Sequence, residues 1–196
     1  MTTSRTQPIQ TAADLQAQFQ TAMNLFWTTR KLTERKQALD HCLETLTTQR
    51  ALNNPSGQVP LAHVATSLAA VAQMHYHLAV KSKKRQNWRL GFACKFFHEC
   101  MTLVDQFGAG SREDLALACT GAAQAYAQRG NFPMAFSLLH NAGQELVLPG
   151  RDNPLSRDMA LSLAGQAVSF GRAGKRRAIA LFEAELNKIQ TAIRGE

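Results

Sequence analysis

Apolar residues recur at every third or fourth position over most of this chain, and this spacing constrains the fold more than any other feature. One face of an α-helix repeats every 3.6 residues, whereas a strand alternates at every second residue. The first run places Leu15, Phe19, Ala22 and Phe26 on one helical face, and no strand pattern competes with it elsewhere. The sequence therefore predicts an all-α protein.

Turn-forming residues divide this helical pattern. Gly, Pro and Asn cluster at residues 53–57, 108–110 and 149–154, where a helix would not continue. Thr11 and Ser111 are each followed three residues later by Asp, a spacing typical of capping boxes at helix starts. Helices are predicted over residues 11–31, 33–52, 60–81, 86–107, 112–129, 132–147, 156–172 and 175–194.

The strong breaks fall after every second helix, which predicts about eight antiparallel helices in four hairpins. A compact helical bundle is the alternative. A chain of 196 residues is long enough to bury a sizeable core without disulfide or metal staples. We expect one domain over residues 11–196 after a polar, disordered tail at residues 1–10. The four hairpins would span residues 11–52, 60–107, 111–147 and 155–194.

The third hairpin resembles the tetratricopeptide repeat. That motif has an aromatic residue late in its first helix, a glycine four residues on and a second aromatic two residues later. Tyr126, Gly130 and Phe132 fill these places, and the small residues Ala135 and Ala142 follow where paired helices cross closely. The resemblance is specific over this hairpin.

In the other hairpins the resemblance is architectural. Phe170 and Gly174 fit the pattern in the fourth hairpin, but Ala178 comes one residue early. The first two hairpins retain only an alanine in the second helix, Ala38 and Ala93.

The resemblance implies a right-handed solenoid whose first helices line a groove for a segment of a partner protein. We therefore expect a non-enzymatic, cytoplasmic and bacterial adaptor or chaperone. Glutamines stand where repeats that grip the carboxylate tails of heat-shock proteins present Asn and Lys, so the resemblance does not extend to that role. The groove positions implied by the motif register are Thr120, Gln124, Ala127, Gln128, Ala164, Val168 and Arg172, with His77 from the second hairpin.

Basic residues gather where the two helices of each hairpin meet. The chain has a formal net charge of +8, and only Glu34 opposes these cations. In a regular stack such turns lie along one edge. Positive charge at the start of a helix opposes the helix dipole, so stability does not explain the pattern. The alternative function is therefore nucleic-acid binding through phosphates at this edge. The cations are Arg30, Lys31, Arg35, Lys36, Lys81, Lys83, Lys84, Arg85, Arg89, Arg129, Arg172, Lys175, Arg176 and Arg177.

Catalytic and metal-binding motifs are absent, and we predict neither an enzyme nor a cofactor. Cys94 and His98, one helical turn apart, are the best metal candidate, with Cys100 and His75 or His77 nearby. We interpret them instead as a core cysteine and a half-exposed histidine, and His75 as a hydrogen-bonded core histidine. All four cysteines are expected to be reduced core residues.

The fourth helix carries an aromatic cluster of Trp88, Phe92, Phe96 and Phe97. We interpret it as core, the alternative being a surface that binds a partner or stacks nucleobases. Adjacent Phe96 and Phe97 cannot share one helical face, so one of them needs a neighbour in the next hairpin or in a ligand.

The last helix has one apolar stripe, which would either cap the stack or form a homodimer. No stretch approaches the roughly 20 apolar residues of a membrane span, and the first residues lack a secretory apolar core. These features favour a protein without membrane contact.

Overall fold

The computed structural model describes residues 11–53, 57–82, 86–143 and 171–194, with side chains in the last segment from Arg176 onward. These residues form helices joined by turns and contain no strand, which confirms the all-α class. The seven helices in these ranges are α1 (Ala12–Thr28), α2 (Leu32–Asn53), α3 (Leu61–Lys81), α4 (Gln86–Phe107), α5 (Arg112–Gln128), α6 (Phe132–His140) and α7 (Gly171–Arg194).

Both predicted capping boxes are present. The Asp14 N–H donates to Thr11 Oγ1 at 3.1 Å, and the Thr11 N–H donates back to Asp14 Oδ2 at 3.0 Å. Ser111 and Asp114 exchange the same two bonds at 3.1 and 2.8 Å. Because each pair satisfies backbone N–H groups that a helix start leaves unpaired, α1 and α5 begin where the sequence predicts.

One predicted break is wrong. A turn was expected after residue 172, but α7 begins at Gly171 and runs through Gly174 without interruption. A single glycine inside a helix costs only about 1 kcal/mol relative to alanine, and here no proline or N-cap residue accompanies it. The tail predicted at residues 1–10, and the helix predicted over residues 156–172 as far as residue 170, lie outside the described residues.

Two other helices end earlier than predicted. Helix α1 stops at Thr28 because Thr29 takes an extended backbone conformation, with φ −72° and ψ 143°. Helix α6 ends at His140 and a wider helical turn follows over residues 141–143, the last described residues before the gap.

The helices pack in chain order, each against the next from α1 to α6. The backbones of α1 and α3, and those of α3 and α5, also approach closely, whereas the backbones of α2, α4 and α6 do not approach one another in the described part of the chain. Helices α2 and α4 meet through a long side chain, since Arg50 pairs with Glu99 at 2.7 Å. Helix α7 packs against both α5 and α6. The odd-numbered helices therefore form one row and the even-numbered helices a second row outside it.

The two adjacent phenylalanines of α4 face different neighbours, as their spacing requires. Phe96 lies 5.7 Å from the ring of His75 on α3, while Phe97 packs against Gly121 on α5. A Cβ at Gly121 would lie 2.3 Å from Phe97 Cζ, so only glycine allows this approach. This confirms that one of the two rings needs a neighbour in the next hairpin.

The turn between α5 and α6 depends on Gly130, which has φ +78°. The Gly130 N–H donates to the Ala127 carbonyl and the Asn131 N–H donates to the Tyr126 carbonyl, both at 2.9 Å. This pair of bonds is a Schellman motif, which needs a left-handed residue and therefore favours glycine. The Asn131 side chain then caps α6 by accepting from the Met134 N–H at 3.3 Å.

Candidate partner-binding surfaces

The C-terminal ends of α1, α3 and α5 lie side by side. Trp27 near the end of α1 and His77 near the end of α3 have ring centroids 5.3 Å apart. Tyr76 on α3 and Gln128, the last residue of α5, line the same cavity. The turns that follow these three helices therefore emerge at the same end of the molecule.

This end is strongly basic in the part of the chain that the structure describes, and we call it the basic end. The one carboxylate in its helix ends and turns, Glu34, accepts from Thr29 and pairs with Lys31 at 3.0 Å. These bonds, with the Thr29 contribution largest, lower the pKa of Glu34. The described cations of these helix ends and turns are Arg30, Lys31, Arg35, Lys36, Lys81, Arg89 and Arg129.

The predicted edge residues differ in their exposure and in where they lie. Lys81, Arg129, Arg176 and Arg177 are exposed, and Arg89 is half-buried against Trp88. Arg172 and Lys175 belong to the first turns of α7 rather than to a turn between helices. Three others, Lys83, Lys84 and Arg85, lie outside the described residues.

Large apolar side chains are also exposed near this end. The two tryptophans of the chain are 41% exposed at Trp27 and 52% exposed at Trp88. Trp27 was not predicted as a site residue. Its sequence position is nevertheless a signal for a surface site, because this aromatic residue lies off the apolar stripe of α1 and shortly before Arg30 and Lys31. Other exposed apolar residues near this end are Leu25, Leu32, Val80, Met134 and Ile179.

Three of the predicted groove residues lie around a cavity of about 340 Å³ between α3, α5, α6 and α7. Gln124 is half-buried there and Gln128 is exposed. Of the other predicted positions on α5, Ala127 also lines this cavity, whereas Thr120 is buried and its hydroxyl donates to the Leu117 carbonyl at 2.9 Å. The remaining lining residues are Tyr76, Phe132, Ile179, Phe182, Glu183 and Leu186.

The described structure does not test the groove residues expected on the fourth hairpin. Val168 and Ala164 lie outside the described residues, and Arg172 is in the first turn of α7. Phe182 and Glu183 of α7 line the cavity instead. Both residues were predicted to lie on the second helix of the fourth hairpin, outside the groove.

His77, the groove residue predicted on α3, is half-buried in a cluster of aromatic and cationic groups. Its Nε2 contacts the Arg35 guanidinium, and its ring lies edge-on to Phe26 and Trp27. Burial, followed by the charges of Arg35 and Lys81, lowers the pKa of His77. The imidazole is therefore neutral near pH 7 and acts as a spacer between Arg35 and the tryptophan.

His75 is buried, but the expectation that it is hydrogen-bonded is wrong. Neither ring nitrogen has a partner in the described part of the chain. Its ring stacks on Phe92 at 5.3 Å and also neighbours Trp88 and Phe96. Aromatic contacts, rather than polar ones, hold this imidazole in the core. Burial, followed by the charge of Arg89, lowers its pKa to about 4.

The candidate metal residues do not form a coordination site among the described residues. Three or more His, Cys, Asp or Glu side chains nowhere converge there. His98 Nε2 lies 2.9 Å from the Tyr126 hydroxyl, and Cys94 is buried. All four thiols are free and buried, as expected for reduced core residues. No helix in the described ranges is long and apolar enough to cross a membrane.

A second concave surface lies on the outer side of the first hairpin, with a volume of about 510 Å³. It lies between α1 and α2, where Leu25 is 48% exposed beside small residues. Small side chains at Ala17 and Thr21 leave this space open, a signal that the apolar stripe of α1 alone does not contain.

Comparison with known proteins adds no relative to this geometry: no protein-family model, curated protein or solved structure matches the chain.

Proposed function

We propose that this chain is a non-enzymatic helical-repeat protein that holds a segment of a partner protein against its odd-numbered helices. We further propose that the helices are arranged as a right-handed, tetratricopeptide-like solenoid of hairpins. It is supported by the two rows of helices, because in the described residues the backbones of odd-numbered helices approach one another more closely than those of even-numbered ones. When the helices of one row lie closer together than those of the other row, the stack curves and the row with the smaller spacing lies on the inner face.

The observation that carries the proposal is the cavity beside Gln124 and Gln128. Its walls combine amide, phenol and carboxylate groups with an apolar floor that includes Phe182 and Leu186. An extended peptide offers backbone N–H and C=O groups together with projecting side chains. The two amides suit the peptide backbone, and the floor suits one apolar side chain.

The charge at the cavity rim suggests which segment fits. Glu183 is exposed and lines the cavity, so a basic residue next to the apolar anchor would gain a favourable electrostatic interaction. We therefore propose a partner segment with an apolar residue flanked by Lys or Arg.

A binding role fits the state of the nucleophilic side chains better than a catalytic one. Burial raises the pKa of Cys42 and of Cys119 to about 12 and that of Cys100 to about 11. A thiol acts as a nucleophile only as the thiolate, and these groups are inaccessible. The further proposal of a cytoplasmic, bacterial adaptor or chaperone rests on the tetratricopeptide resemblance.

The test compares two identical substitutions. Ala127→Leu adds bulk inside the cavity, whereas Ala184→Leu adds the same bulk to an exposed position of α7 that does not line it. Each variant is used to capture proteins from the native cell extract after nuclease treatment and at raised salt. Both variants should melt near the wild-type temperature.

We expect wild type and Ala184→Leu to retain the same protein and Ala127→Leu to lose it by tenfold or more. Direct titration of that protein against the three chains then gives the affinities. Equal capture by all three chains would place the interaction elsewhere, and recovery of nucleic acid alone would remove support for a protein partner.

The basic end favours a second candidate function. The seven cations found there among the described side chains face a single carboxylate in the same turns and helix ends. We propose that this end binds the phosphates of a nucleic acid, with affinity that falls steeply as salt displaces the bound counterions.

A further inference from the structure

We infer that the basic end binds single-stranded nucleic acid, with the turn cations on the phosphates and the indoles of Trp27 and Trp88 stacked on bases. This inference rests on the second function proposed above and adds the form of the nucleic acid. Two observations support it: the surroundings of Trp27 and Trp88, and the position of these rings relative to the turn cations.

The Trp27 ring is exposed yet held in place. Its edge contacts join it to Phe26 at 4.8 Å and His77 at 5.3 Å between centroids. Arg35 fixes His77 in turn, since its guanidinium contacts the imidazole and its Nε donates to the Thr29 carbonyl at 2.9 Å. A ring positioned in advance loses little conformational entropy when a base stacks on it.

The Trp88 ring combines an exposed surface with an adjacent cation. The Arg89 guanidinium lies 5.6 Å from the ring centroid, and Phe92 supports the ring from the core side at 4.7 Å. Stacking on an indole is independent of base identity because every base has a π-face, and a guanidinium beside the ring can contact the adjoining phosphate.

The order of groups along the helices distinguishes a single strand from the other anionic partners. Arg30 and Lys31 follow the end of α1, and Lys81 ends α3, so the charges lie farther out than Trp27. In a membrane-inserting surface the apolar groups would instead be outermost. A duplex keeps its bases stacked internally, so the recessed indole of Trp27 would contribute nothing to duplex binding.

Intrinsic fluorescence tests the inference directly, because Trp27 and Trp88 are the only tryptophans in the chain. The full chain is titrated with an oligodeoxythymidylate of about 12 nucleotides, within the size of known single-strand sites, and with a hairpin duplex of similar charge. We expect quenching by the single strand and binding at least tenfold tighter than to the duplex. Comparable affinity for the duplex would overturn the inference.

Variants separate stacking from charge. Trp27→Ala and Trp88→Ala should each weaken single-strand binding about tenfold and leave duplex binding unchanged. Trp27→Phe should restore most of the loss, since a phenyl ring still stacks. The control is Phe107→Ala, which removes an aromatic ring that is 62% exposed at the opposite end of α4.

A charge-matched pair tests the underlying phosphate binding. Lys81→Gln removes a cation at the basic end, and Lys95→Gln removes an exposed cation from the middle of α4. The first should lower the slope of log affinity against log salt by about 0.7 and the second should not.

The two levels of the proposal fail in different ways. If Lys81→Gln weakens binding but both tryptophan variants behave as wild type, phosphate binding stands and the stacking inference is wrong. If neither oligonucleotide binds, the second function itself fails. Tighter binding to phosphatidylserine vesicles than to the single strand would assign this end to a membrane surface instead.

Discussion

The imidazole of His75 stacks on the ring of Phe92, with centroids 5.3 Å apart and planes inclined by only 17°. His75 is only 3% exposed. Neither of its ring nitrogens has a hydrogen-bond partner in the described residues, so a titratable group is buried among aromatic rings. A neutral imidazole tolerates this environment far better than a charged one.

Stability should therefore fall on acidification. The pKa of His75 drops from 6.5 to about 4 in the folded protein, so the unfolded chain binds more protons throughout that interval. The contribution of the neutral imidazole to the free energy of unfolding is fully present above pH 6.5. It is lost as pH falls towards 4, and the loss amounts to about 3 kcal/mol in total. Urea unfolding at a series of pH values measures it.

His75→Phe should flatten this pH dependence and raise stability near pH 5. His77 and His98, whose pKa values burial also lowers, continue to contribute in both proteins. A profile for His75→Phe that parallels wild type would show that this imidazole titrates normally.

Two glycines of the helices should respond to alanine with opposite signs. At Gly121 a Cβ would lie 2.3 Å from Phe97, whose buried ring cannot move aside, so Gly121→Ala should destabilise the protein by about 1 to 3 kcal/mol. At Gly91 nothing lies within 4 Å, so Gly91→Ala should stabilise α4 by up to about 1 kcal/mol. Thermal unfolding of both variants checks the contrast, and similar shifts would contradict the close approach of α4 and α5.

The turn after α5 should be sensitive to the left-handed conformation of Gly130. Its φ of +78° disfavours an L side chain although there is space for one, so Gly130→Ala should cost about 1 to 2 kcal/mol. Gly130→Asn should cost less, because asparagine tolerates this region better. Chemical denaturation ranks the two variants, and equal losses would indicate that space rather than backbone conformation is limiting.

The four cysteines should be nearly inert in the native protein. Burial raises the pKa of each thiol, and in Cys94 this effect exceeds the opposing influence of Arg129. Reaction with a thiol-disulfide reagent at pH 8 should be much slower than for a free thiol and should reach four equivalents only after denaturation. Rapid labelling of the folded chain would show that one of them is accessible.

Helix starts and turns were predictable because the groups that form them are close in sequence. Thr11 bonds to Asp14, Ser111 bonds to Asp114, and Gly130 closes its turn on Ala127. The continuity of α7 through Gly174 was not predictable, since helix propensity is a weak preference that neighbouring residues readily override.

The candidate surfaces could be predicted only in part. The clustering of cations in the turns is visible in the sequence, and Gln124 and Gln128 do line a cavity. The repeat register indicated neither the burial of Thr120 nor the entry of Glu183 into that cavity, which depends on how α7 packs.

The sequence by itself determined the all-α class, the helix caps and the basic character of the turns, because each arises from residues within a turn or two of one another. Only the tertiary structure decided that Trp27 meets His77, that His75 has aromatic rather than polar neighbours, and that Phe97 requires a glycine at position 121. These contacts join helices that are distant along the chain, and they follow from the close packing of side chains between helices rather than from local periodicity.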